Sequence, residues 1–262
     1  MATTKDWNIL ALEIDKPSIE VVNTLEALWL EDVVRRKAPD CAESPIRHQR
    51  LVSLLEEAVL PLLQGTLLTT YGSGYCHNLT SALLTVVADP LSKQYCYVHI
   101  DQHADNDDVK EHLIDCANFV SEIPHVTNAA SIKHVGSTCM APGIEPKDHV
   151  SVRQLQKEGI ATSLSKLFED APQDTYVSID LDVLLDDDMH TDFPDGEMPI
   201  NTLLNVLRTL KTTHNIIGAD VLGLSYRYHQ PSYNLFQKSK LVYAMIAGIF
   251  LGKDITPLKA KY

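Results

Sequence analysis

Gln94-Tyr-Cys-Tyr-Val-His-Ile-Asp-Gln-His-Ala-Asp105 joins an apolar, β-rich run to a series of metal-binding side chains. The run from Gln94 to Asp101 predicts a buried strand, and His103 and Asp105 follow Asp101 at every second position. Alternate side chains of a strand share a face, so we expect these three to project together if the strand stays extended through its end. The segment predicts a strand that presents polar ligands at its carboxyl end.

Two distant segments repeat this arrangement. Tyr75-Cys-His77 follows the predicted strand Gly65–Tyr71, and Asp180-Leu-Asp182 follows the apolar run Tyr176–Ile179. The three segments together supply two imidazoles and four carboxylates, from His77, Asp101, His103, Asp105, Asp180 and Asp182. These ligands suit Mn, Fe or Zn, and two divalent ions would neutralise the four acids. The sequence therefore predicts a two-metal hydrolase.

The central motif is open to other interpretations. A single Asp-x-His-x-Asp is also typical of a solvated turn or a helix cap. The alternating side chains from Asp101 to Asp107 resemble an EF-hand calcium loop as well. That loop needs glycine at its sixth position and glutamate at its twelfth, where this chain has Asn106 and His112. The independent Asp180 pair therefore favours the metal centre.

Composition is consistent with a soluble enzyme of one domain over residues 1–262. The formal net charge of −13 argues against nucleic acid and anionic membranes as partners and favours cationic ligands. The longest apolar run, Leu241–Leu251, is too short to span a bilayer and indicates a buried helix. No signal sequence is recognisable, and the five cysteines form no Cys-x-x-Cys pair. We therefore expect free thiols and a cytoplasmic location.

Predicted strands and amphipathic helices alternate along the chain. The candidate strands are Trp7–Asp15, Gly65–Tyr71, Gln94–Asp101, Ile132–Gly136, Thr175–Asp182 and Ile216–Tyr226. Helical spacing of apolar residues occurs over 51–62, 152–167 and 200–210. Such alternation predicts a three-layer α/β/α fold with a mostly parallel sheet. Ligands bind at the carboxyl ends of strands in such folds, and all three segments fall there.

In this order, the motifs resemble the ureohydrolase superfamily of arginases, agmatinases and formiminoglutamases. The resemblance covers roughly residues 65–252 and includes Ser178 before the Asp180 pair and the segment that starts at Gly218-Ala-Asp220. It implies an arginase/deacetylase-like fold, two Mn²⁺ ions and the six ligands given above. It also implies that Asp105 is the catalytic residue that both binds metal and orients the attacking water.

Three positions depart from the family pattern. Gly74-Tyr-Cys-His77 lacks the acid of the usual Gly-Gly-Asp-His. Asp107 stands where an asparagine usually grips the α-carboxylate of free arginine, and Gly223 stands where arginases carry a guanidinium-binding glutamate. An arginine inside a peptide would not need these contacts. The chain is thus most similar to peptide arginases, which convert arginine in a ribosomally made precursor peptide to ornithine and release urea.

Further residues are candidates for the substrate site. Asp107 and Asp186 are expected to bind the cationic guanidinium, and the further acidic candidates are Asp187, Asp188, Asp195 and Glu197. Tyr226, Arg227 and Tyr228 are candidates for the pocket mouth. The proton shuttle is His112, His125 or neither. Cys76 is not favoured as a nucleophile, because His77 would be bound to metal and leave it without a base.

The sequence leaves other functions open. A small-molecule ureohydrolase such as an agmatinase would use the same ligands. A metal-dependent deacylase of the histone-deacetylase-like fold would use one metal and usually shows tandem histidines. A metallophosphatase would add a Gly-Asn-His segment, and a metal-storage protein would close the coordination shell. A homo-oligomer is expected only from the resemblance.

Overall fold

The computed structural model describes residues 7–14, 16–29, 33–37, 45–59, 65–138, 140–193, 195–224 and 232–253. The predicted mouth residues Tyr226, Arg227 and Tyr228 lie outside the described residues, as do Cys41 and Cys139. The prediction of one domain over residues 1–262 stays a prediction.

Among the described residues, eight strands form one sheet in which every neighbouring pair is parallel. They are β1 (Trp7–Glu13), β2 (Val33–Lys37), β4 (Thr66–Thr70), β5 (Tyr95–Asp101), β7 (Ala129–Gly136), β8 (His149–Ser151), β9 (Asp174–Asp180) and β10 (Asn215–Leu222). Two short strands, β3 (Ile46–Arg47) and β6 (Leu113–Ile114), pair antiparallel outside this sheet. The order of the large sheet is β2-β1-β4-β10-β9-β5-β7-β8.

Helices cover both faces of the sheet. They are α1 (Lys16–Trp29), α2 (His48–Val59), α3 (Leu79–Leu83), α4 (Phe119–Val126), α5 (Val152–Glu158), α6 (Ile160–Leu167), α7 (Ile200–Thr213) and α8 (Tyr233–Leu251). One buried cluster contains residues of α1 and α5 to α8, and a second contains residues of α2, α3 and α4. Successive residues of β5, such as Tyr97 and Val98, belong to different clusters, one on each face of the sheet. The predicted α/β/α fold is confirmed.

The strands that carry the predicted ligands lie together in the middle of the sheet. The four neighbours β4, β10, β9 and β5 all end at the same edge, because the sheet is parallel. The chain passes from β4 to β5 over the positions that β10 and β9 later fill. Segments far apart in sequence are thereby brought to one point.

Some element boundaries differ from the prediction. β9 ends at Asp180, because the Asp180 side chain accepts the N–H of Asp182 and starts a 3₁₀ turn over Leu181–Val183. The last helix begins at Tyr233, eight residues before the apolar run that predicted it.

Within the described parts of the chain, no helix combines the length and the apolar character that a bilayer crossing requires.

Candidate metal centre

Strand ends and one turn bring the six predicted ligands to a single region. Asp101 is the last residue of β5 and Asp180 the last of β9. His77 follows a 3₁₀ turn over Gly74–Cys76, and its backbone N–H is bound to the carbonyl of Gly74. Five of the six are buried or nearly so, and only the His103 side chain is well exposed, at 42%.

The deeper part of the centre is an inner group of four residues: His77, His99, Asp101 and Asp105. One ligand atom from each lies within 4.8 Å of the others. His77 Nδ1 lies 3.1 Å from Asp101 Oδ2 and 3.0 Å from Asp105 Oδ2. Asp180 Oδ2 is next to this group, 3.5 Å from the same nitrogen. The inner group therefore has enough donors for one cation.

An outer group consists of Asp101, His103 and Asp182. His103 Nδ1 lies 2.9 Å from Asp182 Oδ2 and 3.5 Å from Asp101 Oδ1. Asp101 thus belongs to both groups, with Oδ2 in the inner one and Oδ1 in the outer one. A carboxylate with its two oxygens directed to two donor sets is suited to bridging a pair of cations.

Unpaired buried atoms show that the residues present fit metal ions. His77 Nδ1, His99 Nε2 and Asp101 Oδ2 are buried and lack a hydrogen-bond partner among the described residues. Buried polar atoms without partners are costly and rare in folded proteins. These three atoms share one location, so a bound cation would satisfy them together.

The charges of the carboxylates also indicate that the centre fits bound cations. Burial and the neighbouring charge of Asp101 raise the pKa of Asp105 and the pKa of Asp180 to about 7. The same two causes raise the pKa of Asp182 well above its usual range. Burial opposes the charge of Asp101 too, but His99, His103 and His77 hold its pKa well below the ordinary value. Divalent cations would let all four carboxylates ionise.

The backbone after β5 does not stay extended, so the condition under which Asp101, His103 and Asp105 would share a strand face is not met. β5 pairs with β9 as far as Ile100 and with β7 as far as Asp101, so the two ladders that would keep the chain straight end there. Asp105 has a φ of 49°, a left-handed conformation that is strained for a residue with a side chain. This bend directs Asp105 towards His77, whereas His103 reaches Asp182. The donors converge because the loop folds back.

Two glycines make room for the Asp180 carboxylate. A Cβ at Gly74 would lie 3.0 Å from Asp180 Oδ2. A Cβ at Gly223 would lie 2.6 Å from Asp180 Oδ1, and Gly223 also has a φ of +115°. The position that resembles the guanidinium-binding glutamate of arginases is therefore one where this chain has no room for a side chain.

A buried polar network binds the Nε2 atom of His77, on the side of the ring away from the carboxylates. His77 Nε2 lies 3.0 Å from Ser178 Oγ, and Ser178 Oγ donates to Asp220 Oδ1 at 2.7 Å. Because Ser178 donates its proton to Asp220, its oxygen is free to accept the Nε2 proton of His77. Asp220 Oδ1 also accepts from Tyr71 and Thr80, each at 3.2 Å. This arrangement places the lone pair of His77 on Nδ1, among the carboxylates.

A cavity of about 640 Å³ opens above the two groups. Its described lining includes Asp101, His103, Asp105, Asp180 and Asp182, with the predicted substrate residue Asp107. Tyr75 and Phe193 form a ring pair on its wall, with ring centres 4.8 Å apart. The remaining lining residues are Gly74, Gln102, Ala104, Asn106, Cys116, Ala117, Met140, Ala141 and Pro142.

Other acidic candidates do not reach this cavity. Asp186 is exposed on the loop after the 3₁₀ turn and is not among the described lining residues, so the geometry does not support the substrate contact predicted for it. Asp188 has a structural role instead: it accepts from Lys238 Nζ at 2.7 Å and from the backbone N–H of Ile200 at 3.0 Å. Asp187, Asp195 and Glu197 are likewise absent from the described lining.

The histidines considered for proton transfer, and the cysteine considered as a nucleophile, are not among the described residues that line the cavity. His112 is 82% exposed and contacts Glu122, and His125 is exposed on α4. Neither is among the described lining residues. Cys76 is buried in the 3₁₀ turn, as expected for a structural cysteine.

Two residues of the site do not follow from the sequence motifs. His99 has the same strand parity as Asp101, and that spacing of two could have indicated a shared face. The apolar run around it indicates only a buried strand. Cys116 lines the cavity, and burial with the nearby Asp105 charge raises the pKa of its thiol to about 12. No sequence pattern marks Cys116.

Comparison with known proteins agrees with the fold. The arginase family profile matches residues 16–248. A hypothetical agmatinase from Burkholderia thailandensis is 18% identical with a TM-score of 0.69, covering 97% of this chain and 87% of that one. Proclavaminate amidino hydrolase from Streptomyces clavuligerus is 18% identical with a TM-score of 0.66, covering 94% and 90%. Arginase from Entamoeba histolytica, solved with L-ornithine, is 13% identical with a TM-score of 0.65, covering 94% and 97%. No curated protein sequence matches the chain.

Proposed function

Since the chain belongs to the arginase family, whose members depend on two metal ions, we propose that it hydrolyses a guanidine group to an amine and urea. Family membership makes it a hydrolase of amidino C–N bonds. We further propose that its substrate is an arginine side chain within a peptide, which it converts to ornithine. The proposed ligands are the six residues predicted from sequence, with Mn²⁺ as the expected cation.

The observation that carries the proposal is the charge of the cavity. Five aspartates belong to its described lining, and no lysine or arginine does. Two divalent cations would leave one excess negative charge. A guanidinium group is always cationic near neutral pH, so this cavity attracts it.

The same charge disfavours a free amino acid as substrate. The α-carboxylate of free arginine would need a donor, yet Asp107 is the exposed group at the position where arginases use asparagine. Gly223 supplies no side chain to the guanidinium. An arginine whose carboxylate is in a peptide bond would avoid the repulsion from Asp107.

The size and walls of the cavity favour a peptide over a small amine. Pockets for drug-sized ligands are roughly 300–1,000 Å³, and this cavity of about 640 Å³ exceeds the needs of one arginine side chain. Met140 is 48% exposed, and it lines the cavity with Ala141 and Pro142. This apolar wall suits the residues that flank an arginine in a peptide.

When bound, the two cations would supply Lewis acidity and lower the pKa of a water molecule at the floor of the cavity. The residues of the chain would then position the reactants. Asp105 belongs to the inner group and also lines the cavity, so its carboxylate is placed to accept a proton from the attacking water. Tyr75 and Phe193 would exclude bulk water from the guanidinium side.

Assays with three guanidines test the proposal. We expect Mn-loaded protein to release urea from an arginine-containing peptide, with the mass change of arginine to ornithine, and to act poorly on free arginine. Asp107→Asn should lower kcat/KM for the peptide about tenfold, because the cavity loses the negative charge that remains in excess of the two cations. It should also improve turnover of free arginine. Efficient use of free arginine by the unmodified protein would overturn the peptide assignment.

Agmatine is the second candidate substrate, because it is a guanidine without a carboxylate and meets the same charge requirement. Urea release from agmatine but not from the peptide would make the protein a small-molecule ureohydrolase. Cleavage of acyl-lysine with one bound zinc would instead identify a deacylase. Two donor groups that share Asp101 oppose this last alternative.

A further inference from the structure

His99 is a buried histidine to which neither the sequence nor the family resemblance gives a role. We propose that His99 is a third histidine ligand of the metal centre, so that the inner position has two imidazoles and the outer position one. The inference rests on the proposed function only in assuming that the centre binds divalent cations. It implies that the two positions prefer different metals.

The distances around His99 Nε2 carry the inference. This nitrogen lies 3.3 Å from Asp101 Oδ2 and 3.8 Å from Asp105 Oδ2. Adjacent donors on one first-row cation, each bound at about 2.1 Å, are about 3 Å apart. The His99 ring also lies nearly parallel to that of His77, with an angle of 19° and centres 5.1 Å apart. Two nitrogens and two carboxylates thus face a common point.

The surroundings of His99 hold the ring for ligation. His99 Nδ1 is 3.0 Å from the hydroxyl of Tyr97, which is fully buried on the same face of β5. With a cation at Nε2, the ring proton is on Nδ1 and the Tyr97 oxygen accepts it, as usual for metal-binding histidines. The rings of Phe119 and His134 pack edge-on against it, with interplanar angles of 64° and 77° and centres 5.9 Å and 5.3 Å away.

A simpler role for His99 is to donate a hydrogen bond to Asp101. The structure argues against it, because neither His99 Nε2 nor Asp101 Oδ2 has a hydrogen-bond partner in the described part of the chain, although the two atoms are 3.3 Å apart. A ring that only positioned Asp101 would direct its N–H at that oxygen. Both atoms instead belong to the inner group, whose four donor atoms surround one point.

A second imidazole changes which cations bind best. Imidazole favours Co²⁺ and Zn²⁺ relative to Mn²⁺, whereas carboxylates suit Mn²⁺. The inner position would therefore hold Co²⁺ or Zn²⁺ more selectively than the outer position, which has His103 and two carboxylates. Mn²⁺ would remain a competent occupant of both.

The experiment uses Asp182→Ala, which lacks an outer carboxylate, so that a cation binds at the inner position. The affinities of this parent variant for Co²⁺ and Mn²⁺ are compared with those of the double variant that also carries His99→Phe. Pulsed EPR of both Mn²⁺ forms counts the coordinated imidazoles. We expect two imidazoles with His99 and one without it. We also expect His99→Phe to lower the ratio of Co²⁺ to Mn²⁺ affinity at least tenfold.

His134→Gln is the matched control, since His134 is a buried neighbour of His99 with no aspartate contact below 4 Å among the described ion pairs. It should keep two imidazoles and the original ratio. An unchanged count and ratio in His99→Phe would overturn the inference. If His99→Phe does not fold, one imidazole in the parent protein overturns it. A protein with two imidazoles that releases no urea would refute only the proposed function.

Discussion

Asp101 is the residue on which both donor groups depend. Its two oxygens face different histidines, His77 and His103, and its pKa is held low although it is buried. Asp182, by contrast, belongs only to the outer group. The two aspartates should therefore differ in what their removal does to metal content.

Replacing each of these aspartates by alanine tests that difference. Asp101→Ala removes a donor from both groups and should reduce the bound metal from two ions per chain towards none. Asp182→Ala should retain one ion. Elemental analysis after gel filtration measures both, and Asp187→Ala on the exposed loop is the control that should keep two. Two ions retained by Asp101→Ala would contradict the shared-carboxylate arrangement.

Gly223 allows a second test of the same centre. Gly223→Ala places a Cβ 2.6 Å from Asp180 Oδ1 and forces a positive φ of 115° on alanine. The backbone strain alone costs about 1–3 kcal/mol, and displacement of Asp180 should lower Mn²⁺ affinity at least tenfold. Calorimetric titration with Mn²⁺ measures this affinity.

Gly159→Ala separates strain from displacement. Gly159 has a φ of +85°, and a Cβ added there would meet no atom within 4 Å beyond its chain neighbours, so its substitution brings strain without a clash. It should lower stability and leave Mn²⁺ affinity unchanged. Equal affinity losses in the two variants would show that Gly223 acts through strain alone.

Elements with a regular apolar pattern were predictable, and those without it were not. β4, β5 and β9 lie close to the predicted ranges because buried parallel strands are continuous apolar runs. β2 has no apolar pattern that would predict it, because three of its five residues, Arg35, Arg36 and Lys37, are cationic and exposed at the sheet edge. β8 was missed because it has only three residues, too few for a period to show.

The candidate site was predictable in part for a similar reason. Residues at strand ends follow from the topology, since all carboxyl ends of a parallel sheet lie at one edge. The fold-back at Asp105 depends on where the β5 to β9 ladder stops, which no local pattern encodes. His99 was missed because a strand buried on both faces offers no polar alternation to mark the ligand face.

The contact between α2 and α3 depends on a neutral histidine. His48 begins α2, and its ring nitrogens lie 3.2 Å from Ser81 Oγ and 3.1 Å from Thr85 Oγ1. Ser81 Oγ donates to the carbonyl of Asn78, so its oxygen accepts the Nδ1 proton of His48. Burial lowers the pKa of His48, with Glu122 opposing the shift. The folded protein therefore binds a proton at this site less readily than the unfolded chain.

This difference predicts a pH-dependent loss of stability. As the pH falls below about 6.5, His48 becomes protonated in the unfolded chain but stays neutral in the folded protein, because its pKa there is lower. The free energy of unfolding therefore decreases. His48→Gln keeps a donor and an acceptor but has no such proton. Urea unfolding at about pH 7.5 and about pH 5.5 should show a greater loss for the parent protein than for His48→Gln. Equal losses would assign the acid sensitivity to other groups.

At the scale of the whole molecule, the net charge of −13 favours the binding of cations, and cations bound to the folded state are expected to stabilise it. Metal binding to the folded state adds about 2.7 kcal/mol at a hundredfold excess over Kd, which corresponds to a rise in Tm of roughly 5 °C or more. Scanning calorimetry with Mn²⁺ and with EDTA measures the difference. Asp101→Ala should show almost none of it, and an equal rise in that variant would indicate binding outside the centre.

The two borders of the sheet have a consequence for self-association. An exposed edge strand has unpaired backbone groups to which a strand of another chain can bind and extend the sheet. Natural proteins prevent this with charged side chains or with short edge strands. Here one border is β2 with its three cationic side chains, Arg35 being held by Glu13 and Glu26, and the other is the three-residue β8. Copies of this protein that meet in solution are therefore expected to join through helices or loops, and fibre growth by strand addition is disfavoured.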